Sequence, residues 1–461
     1  MIGMARKKGL VGLVLIVLAA GCSPPSPPLS PPRGLVFFSL DTTRKDHLPT
    51  YGYGRETATN IDLFARRSTV FDRAVTHWTT TLPSHTSMFT GLYPHTHGVG
   101  DNTRVLDPSF ETLAEILRAQ GFRTGAFVSG YPLRLAEESL AQGFEVYNAK
   151  FRGMRRDGQR TVQLALQWLA ELAPDDRFFL FVHLYDAHGP YRPRDEYLAR
   201  FRSEDPGPPL PYVPNYQRTR DESGEVLRHV NDYVDRYDAQ IKYMDDLVDK
   251  VLAALSLDET AVLLTADHGE SLAERAKVLD HGKSLWQEQI GVPLVLHAPG
   301  LEPSRVSEPV EQVDFLPTLL EILGVPAPEG AKIEGESLLP LMRKARPQQP
   351  NSLVFSSVRA SPKFFQDRGY LLDHQKSLLS VQSSRWKLIV YPGFDDEYLE
   401  LYDLQDDPGE TVDVAADHPE IRDQLRAVLA DWYSNAAEPA AEMELSPEDV
   451  KQMKSLGYLG D

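Results

Sequence analysis

Four side chains able to hold a cation and supply a nucleophile stand at the ends of sequence elements: Asp41, Thr81, Asp267 and His268. Asp41 follows the apolar run Leu35 to Leu40, and Asp267-His268-Gly269 follows Ala261 to Ala266. Thr81 opens Thr81-Leu82-Pro83-Ser84-His85, which reads as a helix start because proline is tolerated in a first turn. In open α/β sheets ligands gather outside the carboxyl ends of the strands. Two carboxylates, an imidazole and a hydroxyl there predict a metal site with a nucleophile in its ligand sphere. Oxygen and imidazole donors suit a divalent cation such as calcium, magnesium, manganese or zinc. A threonine hydroxyl is a poor nucleophile at neutral pH, and a cation and a helix N-terminus both favour its alkoxide. Taken singly, Asp41 and Asp267 read equally well as strand-end caps and Thr81 as a simple N-cap. Together they favour the metal site.

The elements that must position these residues alternate in period. Ser109 reads as an N-cap, Leu113, Ile116 and Leu117 as one helix face and Gly121 as its stop, followed by a strand over 124–129. Helical spacing at Val162, Ala165, Leu166 and Leu169 precedes the apolar strand Phe178 to Val182. Tyr237, Ile241, Met244, Val248, Val251 and Leu255 make a long amphipathic helix before the strand at 261–266. Val292 to His297 is a further apolar run, and 314–323 a further helix. Strands alternating with helices predict an α/β fold with a doubly wound, mostly parallel sheet flanked by helices.

After about residue 330 the strands at 353–358, 378–382, 386–391 and 399–402 follow one another without long helices, which predicts a small C-terminal antiparallel sheet with a helix over 419–433. Ser446-Pro447-Glu448-Asp449 is a capping signature for a last short helix. The division expected is a catalytic domain over 34–330, an α+β subdomain over 331–435 and a tail over 436–461. Residues 201–226, rich in proline and charge, read as a long loop bordering the site.

Composition narrows the partners. Of 461 residues, 48 are Lys or Arg and 66 Asp or Glu, a net charge of −18, which argues against nucleic acid. Arg6-Lys7-Lys8 followed by an apolar stretch from Leu10 to Ala20 reads as an export signal too short to span a bilayer. Leu18-Ala19-Ala20-Gly21-Cys22 resembles a bacterial lipoprotein cleavage box, and Cys22 is the only cysteine. The expectation is a signal over 1–21, a lipidated Cys22, a proline-rich tether over 22–33, and a place in the bacterial cell envelope. An ordinary cleavable signal or short anchor with an incidental cysteine is the alternative.

The segments Leu40-Asp41-Thr42-Thr43-Arg44-Lys45-Asp46-His47-Leu48 and Thr81 to His95 resemble the sulfatase family of the alkaline phosphatase superfamily. Asp267-His268-Gly269-Glu270, Gly282-Lys283-Ser284, Val313-Asp314 and Glu400-Leu401-Tyr402-Asp403-Leu404 are similar to it as well. The resemblance implies a metal-centred hydrolase or transferase of anionic esters, acting through a covalent intermediate. Asp41, Asp267 and His268 would then be metal ligands, Thr81 both ligand and nucleophile, and Lys283 the partner of substrate oxygens. His188, in Tyr185-Asp186-Ala187-His188-Gly189-Pro190, would protonate the leaving group or join a second cation. Asp186, His188 and His281 are candidates for that second site, or else His281 and Lys283 hold a single substrate anion.

Family sulfatases begin the second motif with Cys or Ser, which is oxidised to formylglycine; Thr81 cannot yield that aldehyde. The usual Arg four positions on is His85, and the Asp-Asn pair is Asp267-His268. These departures favour phosphate or phosphonate esters over sulfate. A sulfatase working without formylglycine and an inactive anion-binding envelope protein are the rivals. The substrate expected is a small-molecule, glycan or lipid-headgroup ester. His95, His97 and His85 read as structural.

Overall fold

Strand β1 (Gly34–Leu40) is buried along its whole length, and its alternating side chains divide between two cores. Leu35 and Phe37 join one apolar cluster, while Val36, Phe38 and Leu40 join the other. A strand covered on both faces belongs at the centre of a doubly wound sheet. In this computed structural model the described residues are 29–221, 223–275, 279–361, 365, 369–434, 436–456 and 458. The expected signal, Cys22 and the first part of the tether lie outside them. Among the described residues no helix is long and apolar enough to cross a membrane.

The other strands follow in chain order. They are β2 (Thr69–Val75), β3 (Arg123–Phe127), β4 (Val146–Asn148), β5 (Phe178–Leu184), β6 (Thr260–Thr265), the hairpin of β7 (Ser271–Leu272) and β8 (Leu279–Asp280), β9 (Gly291–Val292), β10 (Leu294–His297) and β11 (Ser304–Glu311). The main sheet runs β11-β2-β10-β6-β1-β5-β3-β4, with β9 also pairing β2. β6, β1, β5, β3 and β4 are mutually parallel, whereas β10 is antiparallel to both β6 and β2. The sheet is therefore mixed towards one edge, and its parallel part carries the site.

Register and parity together fix which residues meet. Ser39 lies opposite His183 on β5 and Thr265 on β6, so Asp41 and Asp267 both follow two residues later at the carboxyl edge. On β1, β5 and β6 the residues of like parity, Leu35, Phe37, Phe179, Phe181, Ala261 and Leu263, share one core with Leu82, Met88 and Phe89 of the helix Thr81–Thr90. Phe37 meets Phe89 and Phe181 edge to face at centroid distances of 5.9 and 5.6 Å. Each such buried ring stabilises by about 1.5–3 kcal/mol. Side chains alternate across a strand, so Asp41, His183 and Asp267 emerge on the face that the helix covers.

The predicted helices form as Gly158–Ala170, Val230–Leu252 and Phe315–Ile322. The helix expected after Ser109 begins instead at Leu113, because Thr112 and Glu115 make a reciprocal capping box. The C-terminal sheet is antiparallel, β12 (Val354–Arg359), β13 (Ser377–Gln382), β14 (Trp386–Pro392) and β15 (Glu397–Asp403), with the helix Pro419–Trp432 against it. It is tied to the catalytic part by Ser357 N–H on the His77 carbonyl and by Glu410, which accepts from Gln287 N–H and pairs with the buried Lys387.

Candidate active site

The sharp turn after β1 places Thr42 at φ 56°, a strained conformation for a β-branched residue. It aims the Thr42 N–H at Asp267 Oδ1, 3.1 Å away. The His268 N–H donates to the same oxygen at 2.9 Å, leaving Asp267 Oδ2 buried without a partner. Asp41 is likewise half-satisfied. Its Oδ2 lies 3.1 Å from His183 Nε2, and its Oδ1 is unpartnered. In His268 the Nδ1–H donates to the Gly269 carbonyl at 2.9 Å, which directs an unpartnered Nε2 towards the carboxylates.

Ligand atoms of Asp41, Asp267 and His268 lie within 4.8 Å of one another, and all three side chains are fully buried. Burial and the neighbouring Asp267 push the Asp41 carboxyl well above its usual range. Burial pulls His268 down to about 4, so its imidazole is neutral at pH 7 with a lone pair to give. Unmatched negative charge around three inward-facing orphan atoms fits a divalent cation, because an isolated buried charge is otherwise expensive.

Thr81 is the first residue of the helix Thr81–Thr90, with Thr80 as its N-cap. The reading of Thr81 as a simple N-cap is thereby excluded. Its hydroxyl donates to Asp41 Oδ2 at 3.5 Å, and the first-turn N–H of Leu82 is satisfied by Asn102 Oδ1 at 2.8 Å. His85 uses both ring nitrogens structurally, on the Thr81 carbonyl at 2.7 Å and on Ser39 Oγ at 2.8 Å. A second set of close ligand atoms, His85, His183 and Asp267, is compromised by those bonds. His97, bonded to Ser87 Oγ and Val99 N–H, is structural as well.

Of the remaining predicted residues, His188 and His281 pack together, and His281 also meets the ring of His268. His188 donates from Nδ1 to the Gly189 carbonyl at 2.7 Å, and its ring centroid lies 4.9 Å from that of His281. His281 holds Nδ1 3.3 Å from Glu270 Oε1, and its centroid is 4.7 Å from that of His268. Burial opposes the His281 cation, but Glu270 and Asp280 hold its pKa above the ordinary value. Lys283 pairs with Asp280 and lines a cleft of about 290 Å³ together with Thr80, Asn102, His281 and Arg359. Asp186 faces elsewhere: its Oδ1 accepts the Gly158 N–H at the start of the helix Gly158–Ala170. Among the described residues no cluster of close ligand atoms joins Asp186 to His188 and His281. The 201–226 loop does border the site, through the Tyr216 hydroxyl on Asp280 and through Gln217, which donates to Glu270.

Sequence reasoning missed His183, Asn102 and Glu270 as working parts. His183 had a signal, as the only imidazole in a strand of otherwise apolar residues. Asn102 had none, since its role depends on the fold bringing it under Leu82.

Residues 33–325 match the family described as Sulfatase, and residues 279–434 match N-sulphoglucosamine sulphohydrolase, C-terminal. Arylsulfatase K of Xenopus laevis is 24% identical over 413 residues, covering 78% of this chain and 75% of that protein. The Delta 4,5-hexuronate-2-O-sulfatase of Bacteroides thetaiotaomicron is 23% identical over 476 residues, covering 90% of this chain and 92% of the other. The crystal structure of the phosphonate monoester hydrolase of Agrobacterium radiobacter superposes with a TM-score of 0.69 at 19% identity, over 88% of this chain and 96% of that one. With more than half the chain matched, this protein belongs to the sulfatase family and is an ester hydrolase of the alkaline phosphatase superfamily.

Proposed function

We propose that this protein hydrolyses an anionic phosphate or phosphonate ester, with Thr81 as nucleophile and Asp41, Asp267 and His268 as ligands of one divalent cation. The observation that carries this reading is the convergence of three buried, unpartnered donor atoms beside a hydroxyl at a helix N-terminus. A bound cation would supply charge neutralisation for the hydroxyl and for the oxygens of the transferred group. The chain's own groups do the rest. The dipole of the helix Thr81–Thr90 favours negative charge near Thr81. The Glu270-supported imidazole of His281 is a better proton donor to a leaving oxygen than His188, whose Nδ1–H is committed to a carbonyl. Lys283 and Arg359 at the cleft meet the negative charge of a glycan or headgroup ester.

Support for phosphorus over sulfur is the threonine itself, which cannot become formylglycine. The second reading, a sulfuric ester hydrolase, is favoured by the names of the relatives, arylsulfatase K and a hexuronate-2-O-sulfatase. An aryl ester panel on metal-loaded protein separates them. Aryl phosphonate monoester or phosphodiester turnover should exceed aryl sulfate turnover by about 100-fold in kcat/KM, or about 2.7 kcal/mol. A preference for sulfate would install the second reading; loss of all turnover with no bound metal would point to an inactive anion-binding protein.

The same proposal places the enzyme in the cell envelope through a lipidated Cys22, on the strength of the Leu18-Ala19-Ala20-Gly21-Cys22 segment. Cys22→Ser should move the protein from the membrane fraction to the soluble fraction of the envelope. An unchanged membrane share in that variant would remove the anchor from the account.

A further inference from the structure

One residue that meets both of the paired imidazoles comes from the C-terminal tail. Tyr458 places its hydroxyl 3.0 Å from His188 Nε2 and 3.4 Å from His281 Nε2, beside the hydroxyls of Thr81 and Tyr185. With His188 committed to the Gly189 carbonyl through Nδ1–H, its Nε2 accepts the phenol proton. Tyr458 thus stands in the pocket as an oriented donor next to the nucleophile.

The tail that delivers it is built into the fold. Residues 437–443 lie along the 95–105 segment through backbone bonds, Ala437 N–H to His95, Ala440 N–H to Gly98 and Met443 N–H to Thr103, with Val105 N–H returning to Ala441. Gly98 (φ 75°) allows this approach, because a Cβ there would stand 2.8 Å from the Glu438 carbonyl oxygen. The helix Pro447–Ser455 then starts from the Ser446–Asp449 capping box, and Asp449 accepts the Tyr131 hydroxyl at 2.5 Å. Met453 and Leu456 are buried against Tyr131. A chain end held by three independent devices before it reaches the active site is positioned, not draped.

The geometry points to Tyr458 as a substrate-contacting residue: its phenol O–H donates to a non-bridging oxygen of the bound ester, exchanging His188 Nε2 for the substrate. This rests on the functional reading above and adds to it the tail as a wall of the cleft that His281, Lys283 and Arg359 also line. A neutral donor suits this position. It binds the oxygens of an anionic ester without adding the full charge of a second lysine, so it contributes to turnover and to retention of the anion alike.

The test uses the full, metal-loaded chain and two readouts, aryl phosphonate turnover and inhibition or binding by inorganic phosphate. A hydrogen bond to a charged group is worth about 10- to 100-fold, so Tyr458→Phe should lower kcat/KM by that factor. It should weaken phosphate binding by at least about 5-fold, with metal content and Tm unchanged. Leu456→Asp, which unseats the tail without touching the pocket, should produce the same two losses. Wild-type turnover and phosphate binding retained in full by Tyr458→Phe would overturn the proposal while leaving the hydrolase reading intact. So would a rise in turnover on unseating the tail, which would make Tyr458 a plug. A wild-type protein that neither turns over any ester nor binds phosphate would instead overturn the functional reading beneath it.

Discussion

Thr81→Ala is expected to lower kcat on an aryl phosphonate by about 10⁴- to 10⁶-fold, the range seen when a covalent nucleophile is removed. The side chain is fully buried and the bond of its hydroxyl to Asp41 Oδ2 is 3.5 Å long, so the fold has little to lose. Tm should stay within a few degrees of wild type, and bound metal should fall only modestly, since three other donors remain. Thr81→Ser restores a hydroxyl at the same helix start and should recover activity to within about 10-fold. Burst kinetics and mass spectrometry after a quench give the complementary measurement, because a covalent Thr81 ester should accumulate in wild type and be absent from the alanine variant. An alanine variant that keeps full turnover would remove Thr81 from the reaction and leave the carboxylates and histidines to activate water.

How much of this was legible in the sequence follows from how local each signal is. The parallel core was readable because Leu35–Leu40, Phe178–Val182 and Ala261–Ala266 are continuous apolar runs, the mark of strands buried on both faces. The residues just past those runs could then be assigned to one edge. What the sequence did not supply was the common face, which depends on register: Ser39 opposite His183 and Thr265. The strands β2 and β11 escaped detection for a related reason. Thr69–Val75 contains Asp72 and Arg73 within its length, and Ser304–Glu311 carries Pro309 and a shift of register between Val306 and Pro309. Proline and charge are tolerated at a sheet margin, and there they erase the alternation that identifies a strand. The capping box at Ser446 was recognisable because all its parts lie within four residues, whereas Tyr458 meets His188 only after the tail has been laid along the 95–105 segment.

Asp267→Asn should abolish stable metal binding and lower kcat/KM by at least about 10³-fold, since truncating one ligand of a buried cation leaves the others mismatched. The asparagine oxygen can still accept the Thr42 and His268 N–H groups that now hold Oδ1, so the turn after β6 should survive. A thermal measurement distinguishes loss of the cation from loss of the fold. In wild-type protein a chelator should lower Tm, because a ligand that binds only the native state stabilises it by mass action. The drop should grow with pH. Without the cation, burial and the charges of Asp267 and Glu270 raise the Asp41 pKa above its unfolded value, with His183 the group facing it across Oδ2. A group so raised contributes its stability below the unfolded pKa and loses it as pH rises through the folded one. Protons also compete less with the cation as pH rises. Chelation should therefore cost more at pH 8 than at pH 5. Asp267→Asn removes the charge next to Asp41, so at pH 8 its Tm should be indifferent to chelator and at least equal to that of chelated wild type. A wild-type Tm unmoved by chelator at both pH values would mean that Asp41, Asp267 and His268 do not hold a cation, and the nucleophile beside them would lose its activation.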